Sequence, residues 1–218
     1  MVITYLGSEC FKVTQGDLTI ALNPPSKDSS LKTPRFGSDI VLVSLDHEDF
    51  NGVEQMSFGE RAPFVITGPG EYEIKGVAVR GFASESNYGG DKGINTIYSI
   101  LIEGMNLAFL GAISSAELSK EAIEGLDDID ILFVPIGGEG VLDHAEAYKL
   151  AVQLEPKVVI PMHYPNPSDG QSGVGAKNAL KLFLKESGED VKPIDKLTVK
   201  RKDLEGKEDE IIVLENAQ

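Results

Sequence analysis

Apolar and polar residues alternate through the first half of the chain and fall at helical spacing through much of the second. A period of two places successive side chains on opposite faces of a strand. It predicts strands over 2–6, 10–14, 18–22, 40–44 and 63–66. Lys75-Gly76 separates runs at 71–74 and 77–82, and Gly104 separates runs at 96–103 and 106–110, so each pair is expected as a hairpin. The segment 24–38 is rich in Pro, Ser and Lys and reads as a surface loop, while 86–93 carries three glycines and reads as a mobile one.

Beyond residue 118 the rhythm changes. A short helix is expected over 119–125, and another over 143–154, where Ala145, Tyr148, Leu150, Ala151 and Leu154 approach the helical period. A third is expected over 174–187. Apolar strands are expected at 130–135 and 157–161, and two more at 196–200 and 210–214 in a charged tail that is the segment readiest to fray. Unbroken apolar strands need cover on both faces. Two sheets packed face to face with helices outside accommodate both halves of the chain.

At 218 residues the chain is read as one domain, 1–218, with 41% hydrophobic and 25% charged residues, ordinary values for a globular protein. The net charge of −15 argues against nucleic-acid and anionic-membrane partners, since binding phosphate backbones rests on Lys and Arg. No apolar run approaches the roughly 20 residues of a membrane span, and the start has no basic, then apolar, leader pattern. Cys10 is the only cysteine, which excludes an intrachain disulfide and a Cys-rich zinc site. A bacterial-type cytoplasm is the expected compartment.

Candidate chemistry gathers where the apolar run Ile40 to Val43 delivers Ser44, Leu45, Asp46, His47, Glu48, Asp49 and Phe50, which Asn51-Gly52 then turns away. A buried strand ending in a polar loop is a common address for a reactive site. Elsewhere the plainer reading holds. Asp143 is expected as a helix N-cap, with a place near a cleft as the alternative, and His144 as a solvent-facing helix residue. Cys10 follows an apolar strand and reads as a small buried hydrophobe. Gly68-Pro69-Gly70 and Gly137-Gly138-Glu139-Gly140 lack the Lys-Ser/Thr of a phosphate-binding loop and read as turns. The acidic stretch Asp127, Asp128, Asp130 lacks the ligand spacing of a calcium loop.

Five segments carry a resemblance: Ile3-Thr4-Tyr5-Leu6-Gly7-Ser8-Glu9-Cys10-Phe11, Ile20-Ala21-Leu22-Asn23-Pro24, the run from Phe64 to Glu73, Gly93-Ile94-Asn95-Thr96-Ile97-Tyr98, and the run from Leu154 through Pro161-Met162-His163-Tyr164. The last two are the most specific. Together they resemble the metallo-β-lactamase fold family, and within it the bacterial metal-dependent hydrolases similar to L-ascorbate-6-phosphate lactonase. That branch writes its opening as Ile-x-x-Leu-Gly-His-Ser-Cys-Phe, its second segment as Ile-Leu-Ile-Asp-Pro and its loop as Thr-His-x-His-x-Asp-His. The resemblance implies an α/β fold, a four-layer αβ/βα sandwich. It also implies two divalent ions whose bridging water attacks a carbonyl or phosphoryl centre.

Carried over residue by residue, the resemblance places the first ion at Leu45, His47 and a position near Ser86, and the second at Asp49, Phe50 and His163. The bridging carboxylate falls on Ala112, the branch's opening His on Ser8, and the Asp before Pro24 on Asn23. Only His47, Asp49 and His163 remain as donors. The positions of lost ligands are Ser8, Leu45, Phe50, Ser86 and Ala112. This implies a scaffold whose dinuclear centre has been dismantled, binding no metal and serving a binding or assembly role, with a small-molecule ligand in the cleft and a homo-oligomer both open. The alternative is a mononuclear hydrolase holding one zinc or manganese ion on His47, Asp49 and His163, with Glu48 or Glu9 as a fourth ligand and Asp49 as the catalytic residue. It would act on a lactone or a phosphorylated small molecule. A protein–protein interaction module would need a large exposed apolar patch, which the sequence does not reveal.

Overall fold

The computed structural model describes residues 1–59, 62–165 and 174–218. Among them the strands form two sheets. The first runs β12 (Leu197–Thr198), β1 (Val2–Tyr5), β2 (Phe11–Gln15), β3 (Leu18–Leu22), β4 (Ile40–Leu42), β5 (Phe64–Ile66). The second runs β13 (Glu210–Ile211), β11 (Val158–Met162), β10 (Ile131–Pro135), β9 (Met105–Phe109), β8 (Gly93–Ile102), β7 (Val77–Ser86), β6 (Gly70–Ile74). The alternation read from the sequence decides what each face meets. In β3 and β4, Ile20, Leu22, Ile40 and Leu42 join the main core, while Ala21 and Val41 turn away and pack with Val43, Met56, Phe36 and Val53.

The layer over the first sheet is thus built from the 24–38 loop and a 3-10 turn at Val53–Met56, because Pro24, Pro25 and Pro34 leave that stretch no helix to form. The α-helices lie against the second sheet. α1 (Lys120–Gly125) packs on β7, α2 (His144–Leu154) on β10, and α3 (Ala179–Ser187) on α2. The result is the layered α/β sandwich expected. β10 and β11 are buried at every position, as their unbroken apolar sequences require. Phe11 of the first sheet meets Phe133 of the second edge-on at 4.8 Å, and Phe133 meets Phe109 at 6.0 Å.

Several expectations are corrected. The loop expected over 86–93 is shorter by one residue at each end: β7 runs through Ser86, which pairs with Gly93 of β8, so 87–92 connect the strands. Helix α3 starts at Ala179 rather than 174, because Gly175 adopts φ +88 and Ala176 donates its N–H to Gly137. The charged tail is paired into both sheets. Its strands complete one edge of each sheet, Val213 and Leu214 are buried, and Asn216 pairs with Tyr5. His144 is half-buried with Nε2 3.9 Å from Glu186 of α3, so it faces a neighbouring helix rather than open solvent. Among the described residues no helix is long and apolar enough to cross a membrane.

Asp143 caps α2 as read from sequence. Its Oδ1 accepts from the N–H groups of Ala145 and Glu146, both at 2.9 Å, and the Glu146 carboxylate accepts from the N–H of Asp143. Asp143→Ala should cost about 1 kcal/mol by urea denaturation. An unchanged midpoint would show that α2 is held by packing alone.

Candidate functional site

Four strand ends meet at one buried carboxylate. Glu9, in the turn between β1 and β2, is fully buried and accepts from Asn23 Nδ2 at 2.8 Å through Oε2. Its Oε1 lies 2.7 Å from Nδ1 of His163, which follows β11 and is also fully buried. Asn23 follows β3 and reaches over to β4, where its Oδ1 accepts from the N–H of Ser44 at 2.7 Å and its Nδ2 donates to Ser44 Oγ at 2.8 Å. The backbone is bent to make this meeting: Ser8, Asn23 and His163 all take left-handed φ values, +52, +40 and +59. Such strain gathers where the surrounding structure over-determines a residue, and of the three Ser8 is the residue type least suited to it.

The second sheet closes on this network through glycine. Gly111, at φ +61 just beyond β9, lies so close to Ser44 that a Cβ there would stand 2.4 Å from the serine side chain. Asn95 completes the join, accepting from the N–H of Ala112 at 2.9 Å and donating to the carbonyl of Leu110 at 2.8 Å. Gly137 and Gly175 approach the His163 carbonyl in the same way, where a Cβ would sit 2.0 and 2.7 Å from that oxygen. The Gly137–Gly140 stretch is therefore a close-packing turn, as its sequence suggested.

Between these walls lies an apolar cluster of Leu45, Phe50, Ala112 and Val141, with Tyr88 packed against it. The Tyr88 ring takes the central place, its centroid 4.9 Å from His47, 4.9 Å from Phe50 and 5.1 Å from His163. Its hydroxyl donates to Asp49 Oδ2 at 2.6 Å, and Ser29 Oγ donates to Asp49 Oδ1. Burial, then this bond to a carboxylate, hold the Tyr88 phenol well above its ordinary pKa, so it remains a neutral donor. Cys10 is fully buried and its thiol is raised likewise by burial, which suits an inert core residue.

The retained donors are thus near one another but otherwise engaged. His47 Nδ1 accepts from the N–H of Asp49 at 3.2 Å, which puts the proton of the neutral ring on Nε2. Both oxygens of Asp49 accept from hydroxyls. Glu48 is exposed, and Glu9 is committed to Asn23 and His163. Among the described residues no three His, Cys, Asp or Glu side chains are grouped to hold a metal ion. Leu45, Phe50 and Ala112 offer no coordinating atom, and the Tyr88 ring stands between the two imidazoles, so the residues present do not fit a two-ion centre. Of the buried side-chain atoms without a hydrogen-bond partner among the described residues, two lie here, His163 Nε2 and Ser8 Oγ.

Ser86 is buried at the end of β7, where its Oγ accepts from the N–H of Tyr88 at 3.2 Å and so starts the turn that places the ring. Sequence reasoning missed Tyr88, Val141 and Ser29. The available signal was a lone aromatic beside Gly89-Gly90, since a large apolar ring in an otherwise polar turn calls for a packing partner.

Asn23→Asp removes two donors from the network and sets a second carboxylate against Glu9, which should cost about 3 kcal/mol. Adding Glu9→Gln restores a donor between the two positions and should recover about 1 kcal/mol or more, measured as the coupling in a double-mutant cycle. Additive losses would show that the two side chains do not interact.

The geometry has relatives. A UPF0173 metal-dependent hydrolase from Pyrobaculum islandicum is 29% identical over 226 residues, covering 87% of this chain and 98% of its own. Another from Hyperthermus butylicus is 28% identical over 193 residues, covering 74% of this chain and 82% of its own. A solved Thermotoga maritima protein assigned to the Zn-dependent hydrolases of the metallo-beta-lactamase superfamily superposes with TM-score 0.75 at 27% identity, covering 98% of both chains. Igni18, a metallo hydrolase from Ignicoccus hospitalis, shares the fold at TM-score 0.61 and 21% identity, covering all of this chain and 96% of its own. The Beta-lactamase superfamily domain profile matches residues 2–163, most of the chain; with the two-sheet sandwich described above, the chain belongs to that superfamily and carries the metallo-β-lactamase fold.

Proposed function

We infer that this chain is a metal-free member of the metal-dependent hydrolase family, one that has exchanged hydrolysis for binding a small molecule in the cleft. The observation that carries the reading is the Tyr88 ring, seated between His47 and His163 with Leu45, Phe50, Ala112 and Val141 around it. A hydrolytic centre of this family needs a water-filled space with an open coordination position. Here that space holds packed carbon, and packed carbon is stable without an ion. The retained polar groups are spent on structure: Asp49 on two hydroxyls, His163 and Glu9 on each other. The net charge of −15 makes polyanionic ligands a poor match.

One observation favours the mononuclear hydrolase. His163 presents Nδ1 to a carboxylate and leaves Nε2 buried without a partner, the arrangement that metal-binding imidazoles commonly use. An ion there would need His47 and Asp49 to give up their present bonds and Tyr88 to leave.

Elemental analysis after incubation with zinc or manganese separates the two. The purified protein should retain neither ion. One ion per chain, lost in His163→Ala, would overturn the metal-free reading and direct the search to lactones and phosphoesters. Restoring donors by Leu45→His, Phe50→His and Ala112→Asp should create zinc affinity that is strongest when Tyr88→Ala is added. The variant that keeps Tyr88 should bind zinc about tenfold weaker or worse, ~1.4 kcal/mol.

A further inference from the structure

Tyr88 is an unusual filler. The turn that bears it is short and largely exposed, with Gly89 at φ +79 and Gly90 at φ +91 directly after the tyrosine. Its remaining ties are few: the N–H of Asn87 to Ser114 Oγ at 2.6 Å, the N–H of Gly90 to the Asn87 carbonyl at 3.1 Å, and the N–H of Tyr88 to Ser86 Oγ. The backbone of the turn also rests on Gly140, where a Cβ would stand 2.8 Å from Tyr88 Cα. The ring itself is held by three other rings and one carboxylate.

Those surroundings are not those of ordinary core. A side chain that merely filled space would be met by aliphatic groups, as Leu45, Ala112 and Val141 meet it on part of its surface. The rest is a box of His47, Phe50 and His163, two of them edge-on to the ring, with an ionisable acceptor at the end the hydroxyl reaches. Aromatic faces and edges recognise another ring by geometry, and a carboxylate recognises one donor on it. Tyr88 also fits imperfectly, since the imidazole of His163 keeps a buried Nε2 with no hydrogen-bond partner.

We propose that the space filled by the Tyr88 ring is a binding site for a planar aromatic molecule carrying a hydroxyl or N–H donor, and that Tyr88 is its internal stand-in, leaving when the 87–92 turn swings outward. The proposal rests on the metal-free reading above and names the ligand class that reading leaves open. His47, Phe50 and His163 supply the walls, Asp49 the acceptor, and Ser29 steadies Asp49 through its other oxygen. A tethered occupant lowers the apparent affinity for a free one by the fraction of time the site is closed. The natural ligand therefore gains from a second polar atom that Tyr88 lacks.

The probe is 4-methylphenol, the free form of the tyrosine side chain, with toluene as its counterpart without a hydroxyl. Tyr88→Ala should bind 4-methylphenol about tenfold or more tightly than the native protein does, and about tenfold more tightly than it binds toluene, the difference a hydrogen bond to a carboxylate supplies. Asp49→Ala in that background, which removes the acceptor, should abolish the preference. In the native protein, saturating 4-methylphenol should speed amide exchange at 88–92. Tyr88→Phe keeps the ring but releases Asp49, so it should bind 4-methylphenol more tightly than native even if Tyr88→Ala fails to fold. A folded Tyr88→Ala variant that binds no better than native, one that does not distinguish the two probes, or unchanged exchange at 88–92 in saturated native protein overturns the proposal. Zinc analysis of the same samples keeps the readings apart: zinc uptake by native protein overturns the metal-free reading, whereas failure of 4-methylphenol overturns only this one.

Discussion

The buried carboxylate of Glu9 is the interaction on which the rest of the arrangement turns. It stands where the ends of four strands from both sheets converge, and it is reached by a side-chain amide on one side and an imidazole on the other. A carboxyl group taken out of water is tolerable only when its oxygens are engaged, so the positions of Asn23 and His163 are tied to it. Asn23 in turn fixes Ser44, and Ser44 meets Gly111 so closely that the sheets cannot slide at this end. Sandwich geometry and cleft geometry are therefore one constraint. The three left-handed residues beside it are the conformational cost of bringing these ends together.

Against the related hydrolases that the sequence resembles, this network looks like an exchange of places. The branch pattern puts Ser where Glu9 stands and Asp where Asn23 stands. On that resemblance each pattern has one carboxylate at the two positions, at Glu9 here and at the Asn23 position in the branch. A single step in either direction would leave two carboxylates facing each other or none, so the two substitutions make sense only as a pair. The same reasoning links Leu45, Phe50 and Ala112 to Tyr88. These three side chains pack together with no polar group among them, and the turn after Ser86 supplies the largest ring against them.

Much of the sandwich could be read from sequence because strand alternation and glycine turns are local signals. Ile20 and Ala21, or Ile40 and Val41, declare opposite faces without reference to any other segment. Asp143 followed by Glu146 declares a cap in the same way. What escaped notice depends on distant partners. The 86–93 stretch looked like a loose loop because its three glycines and polar residues say nothing of β8 pairing with Ser86, nor of the ring that Tyr88 buries. The segment from 174 carried a helical pattern that Gly175 overrides by packing against Gly137 and His163. Leu45, Phe50 and Ala112, which the resemblance assigns to one site, do fall in one apolar cluster. The aromatic at its centre had no counterpart in the pattern to point to it.

The two short strands of the tail have a consequence for how the molecule is made. β12 covers the outer edge of β1, and β13 covers the outer edge of β11, so both sheets are finished by residues beyond 196. During vectorial synthesis on a ribosome, β1 and β11 therefore each keep an unpaired outer edge until residues 197–211 have emerged. Unpaired edges invite pairing with neighbouring chains. The interval between formation of the rest of each sheet and arrival of residues 197–211 is then one in which the β1 and β11 edges are open to pairing with another chain.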